Sequence, residues 1–536
     1  MSQNAFISRR RFVGGTLLSV VAASAATPRV APAAAEIAAH GGKPQCFTLF
    51  ALDDVSIPFR QNLRLTLHPP RKHAANPVLR RGGKGTPDDY RAQFYGSVIR
   101  EGGKFRMWYI AIDEQAIRTL SKHAYRGCRA AYAESDDGIH WVKPNLGLVE
   151  HGGSRNNNLV LVDPPDVTGL HLVVLHEPDD PDPARRYKMM HQIRWAEAPA
   201  FGWTTSVPLF SADGFHWKLE TPGSPRNYAI STPDMPLPPE HTEQSGLYKW
   251  DGLYYLTGQQ LSPWVHFPDG SPCGRVMTSF HSADFVHWSH AKTLAYHRSG
   301  YTPAPQGQGK ESHSPASVWH RGNVLIGLHG LWEGSAKVAD RRMPLGLLIS
   351  NDGRHFREPV VDSPLVPFGD DGQWDQRGLL SGQGFEQVGD ETYIWYGNWD
   401  LSATGGAETY GGVGLLTMRR DGFGSLSPLK PGDPAQLVTD VFPVSAAGLS
   451  VNADGISGEA RLKIELLDPL ESPIPQYSGE NAAVVTASGV LTPVRWPNEA
   501  ADLPDRNVRV RIRFEGSHAD RARLYALYIR AKPSPS

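Results

Sequence analysis

A seven-residue signature, Ser-x-Asp-Gly-x-His-Trp, recurs along this chain at nearly even intervals. Full or near-full copies begin at Ser135, Ser211, Ser282 and Ser350, and a degenerate fifth copy begins at Asp421. The aspartates of successive copies are separated by 76, 71, 68 and 69 positions. A constant period of this length indicates stacked supersecondary units, none of which can bury its apolar face alone.

Each copy predicts a tight turn. The Asp and Ser side chains accept hydrogen bonds from nearby backbone N–H groups, Gly supplies a positive φ, and the terminal aromatic ring packs back. A histidine stands at the same offset in each of the four units, which is typical of a scaffold position. We therefore interpret His140, His216, His287 and His355 as part of the turn and not of a site.

Short runs of aromatic and apolar residues precede the turns and predict antiparallel strands. These runs lie at 104–109, 186–190, 253–256, 324–327 and 392–396. Together the units predict an all-β fold, a five-bladed β-propeller within a catalytic domain over 46–430. The predicted blades cover 88–148, 158–222, 240–295, 311–362 and 375–428. The stretch 46–80 is expected to lie across one face or to complete the ring by strand exchange, which removes open sheet edges.

A second domain is predicted after a Pro/Gly/Asp linker at 428–434. Apolar and charged residues alternate strictly at 461–466 and again at 508–514. A period of two with one polar face indicates half-exposed antiparallel sheets, so 436–533 is expected to form a small β-sandwich. Its arginine stripe is interpreted as a solvated face, with binding of anionic glycans as the alternative.

The N-terminus resembles a twin-arginine signal peptide within residues 1–35. Arg9, Arg10 and Arg11 precede Phe12, and an apolar, Ala-rich run follows. This run is too short to span a bilayer, so we expect export to the periplasm or the medium and no membrane span.

Charge and cysteine content exclude some classes of protein. The chain has 54 Lys+Arg against 55 Asp+Glu, a balance that argues against a nucleic-acid-binding surface. Its three cysteines, Cys46, Cys128 and Cys273, allow at most one disulfide within the chain.

The candidate site follows from propeller geometry, because the first strands of all blades point into one central funnel. Polar and aromatic residues near the predicted starts of these strands are Asp89, Arg91 and Tyr95 in blade one, Glu177 in blade two, Glu243 and Gln244 in blade three, Glu311 and His313 in blade four, and Trp374, Asp375 and Arg377 in blade five. Each blade is thus expected to bring a carboxylate to the same end.

Several carboxylates around one funnel suit glycoside hydrolysis. That reaction needs one acid to protonate the leaving oxygen and an ionised partner to activate water or attack the sugar. Like charges at short range help to keep one of them protonated. Aromatic rings such as Trp374 and Tyr95 offer stacking faces for a sugar. Turn caps, ion pairs and a calcium site are the alternatives for the same acids; no cofactor is required, and a structural calcium stays open.

The repeated turns, together with Asn76-Pro77-Val78-Leu79 and the segment 132–147, resemble the five-bladed glycoside hydrolases of families 32, 43, 68, 117 and 130, in particular uncharacterised bacterial family-32-like proteins. The resemblance covers about 46–428, and the predicted sandwich is similar to the C-terminal module of family 32. It implies that Asp89 matches the family's first-strand aspartate and Glu311 its general acid, with Glu243 or Asp375 at the second aspartate position. The Glu-Cys-Pro and Trp-Met-Asn-Asp-Pro signatures of β-fructosidases are absent.

The sequence thus predicts an exported glycoside hydrolase that removes terminal sugar residues from a glycan or glycoside. Glu311 is the predicted general acid, Glu243 or Asp89 the base or nucleophile, and Asp375 a tuning acid. The residues predicted to hold the sugar are His313, Gln244, Arg377, Trp374, Glu177, Tyr95 and Arg91. Two alternatives stay open, a family-130-like phosphorylase with phosphate held by Arg91, Lys310 and Arg377, and a carbohydrate-binding propeller without catalysis. The sequence leaves the oligomeric state open.

Overall fold

The computed structural model describes residues 46–115, 127–165, 167–194, 204–220, 243–261, 274–289, 293–298, 308–337, 340–399, 411–444, 446–497 and 506–531. The predicted signal peptide at 1–35 lies outside them. The described chain consists of β-strands joined by turns and a few short 3-10 segments. Those 3-10 segments are Pro183–Arg185, Pro475–Tyr477, Gly479–Asn481 and Ala519–Arg521. None of the described helical segments has the length and apolar character needed to cross a membrane.

The recurrent signature forms the same turn in its four full or near-full copies. In the first, Asp137 Oδ1 accepts hydrogen bonds from the backbone N–H groups of Ile139 and His140, both at 2.8 Å. His140 Nδ1 lies 2.6 Å from Asp137 Oδ2, and Gly138 adopts a φ of 77°. The bonds between His and Asp recur in the turns around Asp213, Asp284 and Asp352 at 2.7 to 2.8 Å. The histidines are thus bound to the turn, as the sequence predicted.

Each turn follows the third strand of an antiparallel module. The first three modules are described here as blades one to three, in chain order. Blade one contains Arg91–Glu101, Lys104–Ile112 and Cys128–Ser135. Blade two contains Leu172–His176, Tyr187–Arg194, Thr204–Ser211 and His216–Leu219, with Leu161–Asp163 parallel to the last. Blade three contains Glu243–Trp250, Leu253–Leu261, Arg275–Ser282 and Thr293–Tyr296.

Blades four and five complete the series. Blade four contains Gly309–His320, Leu325–Gly334, Leu345–Ser350 and Pro364–Val366. Blade five contains Gln383–Val388, Glu391–Asn398 and Gly412–Arg419, with the short Leu379–Leu380 pairing on its second strand. Its outer strand comes from the N-terminal side of the chain, where Arg71–Lys72 and Leu79–Arg80 pair with Gly412–Arg419. Residues 71–80 therefore provide the strand exchange that the sequence predicted.

The first strands of the blades form a closed series. Each contacts the first strand of the next blade, and the last, Gln383–Val388, pairs in parallel with Arg91–Glu101 of blade one. This closure is the arrangement of a β-propeller and confirms the predicted fold class. The starts of the first strands, the ends of the second and the starts of the third share one end of the ring, because neighbouring strands within a blade are antiparallel.

Two six-stranded sheets form the β-sandwich. One contains Leu63–Leu67, Gly424–Pro428, Arg523–Ala531, Ala446–Asp454, Gly489–Pro493 and Cys46–Phe50. The other contains Phe59–Gln61, Ala435–Val438, Arg506–Glu515, Arg461–Leu467, Ala483–Val485 and Phe442–Val444.

The sandwich corrects the predicted domain boundaries. Strands within 46–67 and 424–428 belong to it and not to the propeller span of 46–430. Phe47 and Leu49 enter its core beside Leu449 and Leu527. An alternating apolar pattern shows that a strand has a buried face, but it does not show which sheet covers that face.

Candidate active site

The central channel of the propeller is closed about midway by hydrogen bonds. The Gln383 side chain, on blade five, reaches across to blade three, where its Oε1 accepts from Leu247 N and its Nε2 donates to Leu247 O, each at 2.8 Å. The same Oε1 accepts from Val318 N of blade four at 3.4 Å. Ser97, the ladder partner of Gln383 on blade one, accepts from Val174 N of blade two at 2.9 Å. All five first strands are thus joined at one level, and above it lies a funnel with a closed floor.

Two predicted glutamates and a predicted histidine meet in this funnel. Glu311 is fully buried near the start of blade four, and its Oε2 lies 3.2 Å from Arg275 Nη1 of blade three. The same Nη1 lies 2.9 Å from His313 Nδ1. A guanidinium at this distance stabilises the ionised form of a carboxylate. The full burial of Glu311 acts in the opposite direction and favours its protonated form, so its role as general acid stays a prediction.

His313 links the two glutamates. Because an arginine side chain can only donate hydrogen bonds, His313 Nδ1 must be the acceptor, and the ring is neutral with its proton on Nε2. That Nε2 lies 3.7 Å from Glu243 Oε2. Gln259 Nε2 also donates to Glu243 Oε2. The side chain of Glu243 retains 17% exposure, so it is the more accessible of the two glutamates.

Aromatic rings form one wall of the funnel. The His313 ring stacks on Trp332 with ring centroids 4.8 Å apart and on Trp399 at 5.2 Å. Trp332 belongs to an apolar cluster with Tyr95, and Tyr95 packs on His171 at 4.1 Å. The predicted Tyr95 therefore lies beside the acidic cluster. Trp332, Tyr95 and His313 are buried, so Trp399, which is partly exposed, is the ring of this group that can present a face to a sugar.

The predicted acids of blades one and five have structural partners instead. Asp89 holds a loop, with Oδ2 accepting from Gly85 N at 2.9 Å and Oδ1 from Glu114 N at 2.8 Å. Asp375 is buried and bound to Tyr396 Oη and Lys72 Nζ, each at 2.7 Å. Both lie in loops that precede the first strands, so neither prediction of an acid on the funnel wall is supported.

Glu177 corrects the prediction for blade two. The first strand of that blade is Leu172–His176, so Glu177 follows this strand and lies at the opposite end of the ring from Glu243. Its carboxylate is bound by Lys188 at 2.8 Å, Lys249 at 2.9 Å and Tyr254 at 2.6 Å. The apolar residues before Glu177 do not indicate the direction of the strand, which is why its start was predicted at Glu177.

Other predicted sugar-binding residues join blades to one another or to their loops. Gln244 Nε2 donates to Met190 O, and Gln244 Oε1 accepts from Ser206 Oγ, both on blade two. Arg91 Nη2 donates to Asn398 O, and Arg377 Nη2 lies 3.9 Å from Asp371. Trp374 packs on Tyr396.

The sequence analysis missed Arg275, Gln259, Trp332 and Trp399. Arg275 begins a third strand and Trp332 and Gln259 lie near the ends of second strands, so all three share the end of the ring at which the first strands begin. In an antiparallel blade the ends of second strands and the starts of third strands lie beside the starts of first strands, and this order indicates where these residues meet.

Among the described residues, no three His, Cys, Asp or Glu side chains are grouped as a metal site. Of the residues in the alternative phosphate pocket, Lys310 is bound to Asp362, and Arg91 and Arg377 have the partners given above.

No family model and no curated protein matches the chain. Solved structures do match. One is described with the GH130 family of mannoside phosphorylases, which contains glycoside hydrolases that target β-1,2-mannosidic linkages in Candida mannan. It is 15% identical to this chain, with a TM-score of 0.42. The match covers 66% of this chain and 94% of the other chain. A glycosyl hydrolase from Bacteroides ovatus is 15% identical and covers 70% and 97%, with a TM-score of 0.42. An N-acetylgalactosamine deacetylase from F. plautii, in complex with blood group B trisaccharide, is 14% identical and covers 67% and 96%, with a TM-score of 0.41.

Proposed function

We propose that this protein is an exported glycoside hydrolase that removes terminal sugar residues from a glycan or glycoside. The observation that carries the proposal is the pair Glu243 and Glu311, which adjacent blades hold beside Arg275 and His313 against an aromatic wall. Two carboxyls in unlike surroundings are the minimum machinery of glycoside hydrolysis, since one must give a proton while the other stays ionised.

The surroundings support an exchange of the roles that the sequence predicted. Arg275, the cation of this cluster, contacts Glu311, so Glu311 acts as the ionised carboxylate. The Glu243 carboxyl lies 3.7 Å from His313 Nε2, and we assign the proton to this carboxyl. Glu243 is therefore the proton donor to the leaving oxygen. Gln259, whose Nε2 donates to Glu243 Oε2, orients Glu243 between catalytic cycles.

The closed floor supports action on chain ends. Gln383 joins blades three, four and five across the axis below the acidic cluster. A chain therefore enters the funnel from its open side and does not pass through the ring, which supports action on a terminal unit.

The test is a screen of aryl glycosides and of plant and bacterial polysaccharides with the mature protein, followed by Glu243→Gln and Glu311→Gln on the best substrate. Each change is expected to lower kcat by about 100-fold or more, the scale for loss of a general acid or base. Glu391→Gln is the matched control, because that carboxylate is partly exposed and paired with Arg71 on the outside of blade five. Aryl glycosides with good leaving groups should lose less in Glu243→Gln than in Glu311→Gln, since they need little protonation.

Other outcomes would remove the proposal or one of its parts. Full activity in both glutamine variants would exclude this site. Turnover that requires added phosphate would indicate a phosphorylase, and glycan binding without turnover that Glu311→Gln leaves unchanged would indicate a binding protein. Cleavage in the middle of polysaccharide chains would contradict the closed funnel.

A further inference from the structure

A second cavity lies on the other side of the Gln383 cross-link. It has a volume of about 390 Å³, and all five first strands line it. Its upper boundary includes Gln383 and the neighbouring Leu247 and Val318. The cavity, called the lower chamber below, is therefore separate from the funnel that holds Glu243 and Glu311.

The walls of the lower chamber are mainly apolar. Ile99, Leu175 and Trp319 line it and are only half-buried, although each follows fully buried residues on its strand. Trp319 stacks on Phe385 with the rings nearly parallel, at 6°, and their centroids 5.7 Å apart. A concave site with partly exposed apolar residues gains free energy when an apolar molecule displaces its water.

One carboxyl lies among these apolar walls. Glu386 lines the chamber, and its Oε1 accepts a hydrogen bond from Arg100 N at 3.2 Å. Burial raises the pKa of Glu386 to about 7, against the opposing effect of that hydrogen bond and of the charges on Arg100 and Arg321. The group therefore remains a strong acceptor that the protein satisfies only in part.

Two of the cations around the chamber have anionic partners. Lys249, at the rim, pairs with Glu177 at 2.9 Å, and Arg321 pairs with Asp421 at 3.0 Å. Arg100 lies beside Glu386, and its charge lowers the pKa of that carboxyl. Burial and Arg321 lower the pKa of His320, and burial raises the pKa of Tyr248, so neither of these two lining groups is charged at neutral pH. Because each cation lies beside a carboxyl group, the chamber favours an uncharged ligand.

We propose that the lower chamber binds a small uncharged aromatic molecule that stacks among its apolar walls and donates a hydroxyl hydrogen bond to Glu386. The volume of the chamber lies within the usual range for small-molecule sites, about 300 to 1,000 Å³. This site does not depend on the proposed hydrolase function, because it is on the far side of the cross-link.

The test compares 2-naphthol with naphthalene, which differ by one hydroxyl, in direct titrations of the mature protein. We expect saturable binding of both and about tenfold tighter binding of 2-naphthol, the value of one good hydrogen bond. The preference should grow between about pH 6 and pH 8, because an ionised carboxylate accepts more strongly than a protonated one. Glu386→Leu should abolish the preference while naphthalene still binds.

Two further variants make the result decisive. Glu243→Gln, in the funnel, should leave the affinities for 2-naphthol and naphthalene unchanged. Ile99→Gln, on the chamber wall, should weaken the binding of both probes. Thermal melting of each variant checks that it is folded. Absence of saturable binding, an equal affinity for the two probes, or sensitivity to Glu243→Gln with indifference to Glu386→Leu would each overturn the proposal.

Discussion

At the scale of single residues, the third signature turn departs from the others. Phe285 occupies the glycine position with a φ of 70°, where Gly138, Gly214 and Gly353 have 77°, 81° and 73°. A left-handed backbone costs a side chain about 1 to 2 kcal/mol. Phe285 is nevertheless fully buried and packs on Trp288, Tyr254 and Phe210. Core packing therefore outweighs backbone strain at this position.

Phe285→Gly is expected to destabilise the protein although it relieves that strain. Losing a buried phenylalanine costs about 3 to 5 kcal/mol, and the relief returns about 1 to 2 kcal/mol. The net loss of about 1 to 4 kcal/mol can be measured by denaturant unfolding. An increase in stability would mean that strain dominates. Gly214→Ala is the matched comparison, since its new Cβ would lie 2.7 Å from Trp108 Cζ2, and it should also destabilise.

The candidate site was predictable only in part at this scale. Glu243, Glu311, His313 and Tyr95 could be identified, because polar and aromatic residues stood near the starts of inferred first strands. Arg275 could not, since its role depends on contact with a neighbouring blade 36 residues away at Glu311. Glu177 was misplaced because a strand of apolar residues does not reveal its direction.

At the scale of elements, the signature turns are small hydrogen-bonded units. Burial opposes ionisation of Asp284, but hydrogen bonds from the His287 ring, the backbone N–H groups of His287 and Val286, and the Ser282 hydroxyl outweigh it and lower the pKa of Asp284 to about 2. The ionised Asp284 therefore stabilises the folded state. That contribution is complete above the unfolded pKa of about 4 and is lost as the pH falls toward 2.

Asp284→Ala is expected to cost about 1 kcal/mol at neutral pH, the scale of a lost helix or turn cap. Exposure of the side chain keeps the effect near the lower end of that range. Unfolding free energies measured from pH 7 to pH 2 should show the difference between variant and wild type shrinking with acid. A difference that stays constant over this range would contradict the role given to the carboxylate.

At the scale of the whole molecule, the chain passes between the two domains more than once. The described part of the chain starts in the sandwich with Cys46–Phe50, adds residues 71–80 to blade five, and returns through Gly424–Pro428. Arg419 of blade five joins the domains, with bonds to Asn452 Oδ1 at 2.6 Å, Ala453 O at 2.9 Å and Gly489 O at 2.8 Å. The propeller and sandwich are therefore expected to unfold together.

Arg419→Leu is expected to lower stability by about 2 to 4 kcal/mol, because it leaves several partly buried acceptors without their charged donor. Calorimetry should then resolve two transitions where the wild type has one. Arg71→Leu, an exposed arginine beside the same junction, is the control and should change little. A single unshifted transition in Arg419→Leu would show that the domains are coupled by other contacts.

The sequence by itself determined the period of the repeats, the geometry of their turns and the all-β class, because hydrogen bonds between neighbours and an alternating pattern are local properties. Only the tertiary structure decided that strands within 46–67 complete the sandwich, that Gln383 crosses the channel, and that Arg275 contacts Glu311. Those features depend on which residues meet across blades. Packing between segments far apart in the chain determines these contacts, and a local sequence pattern does not contain that information.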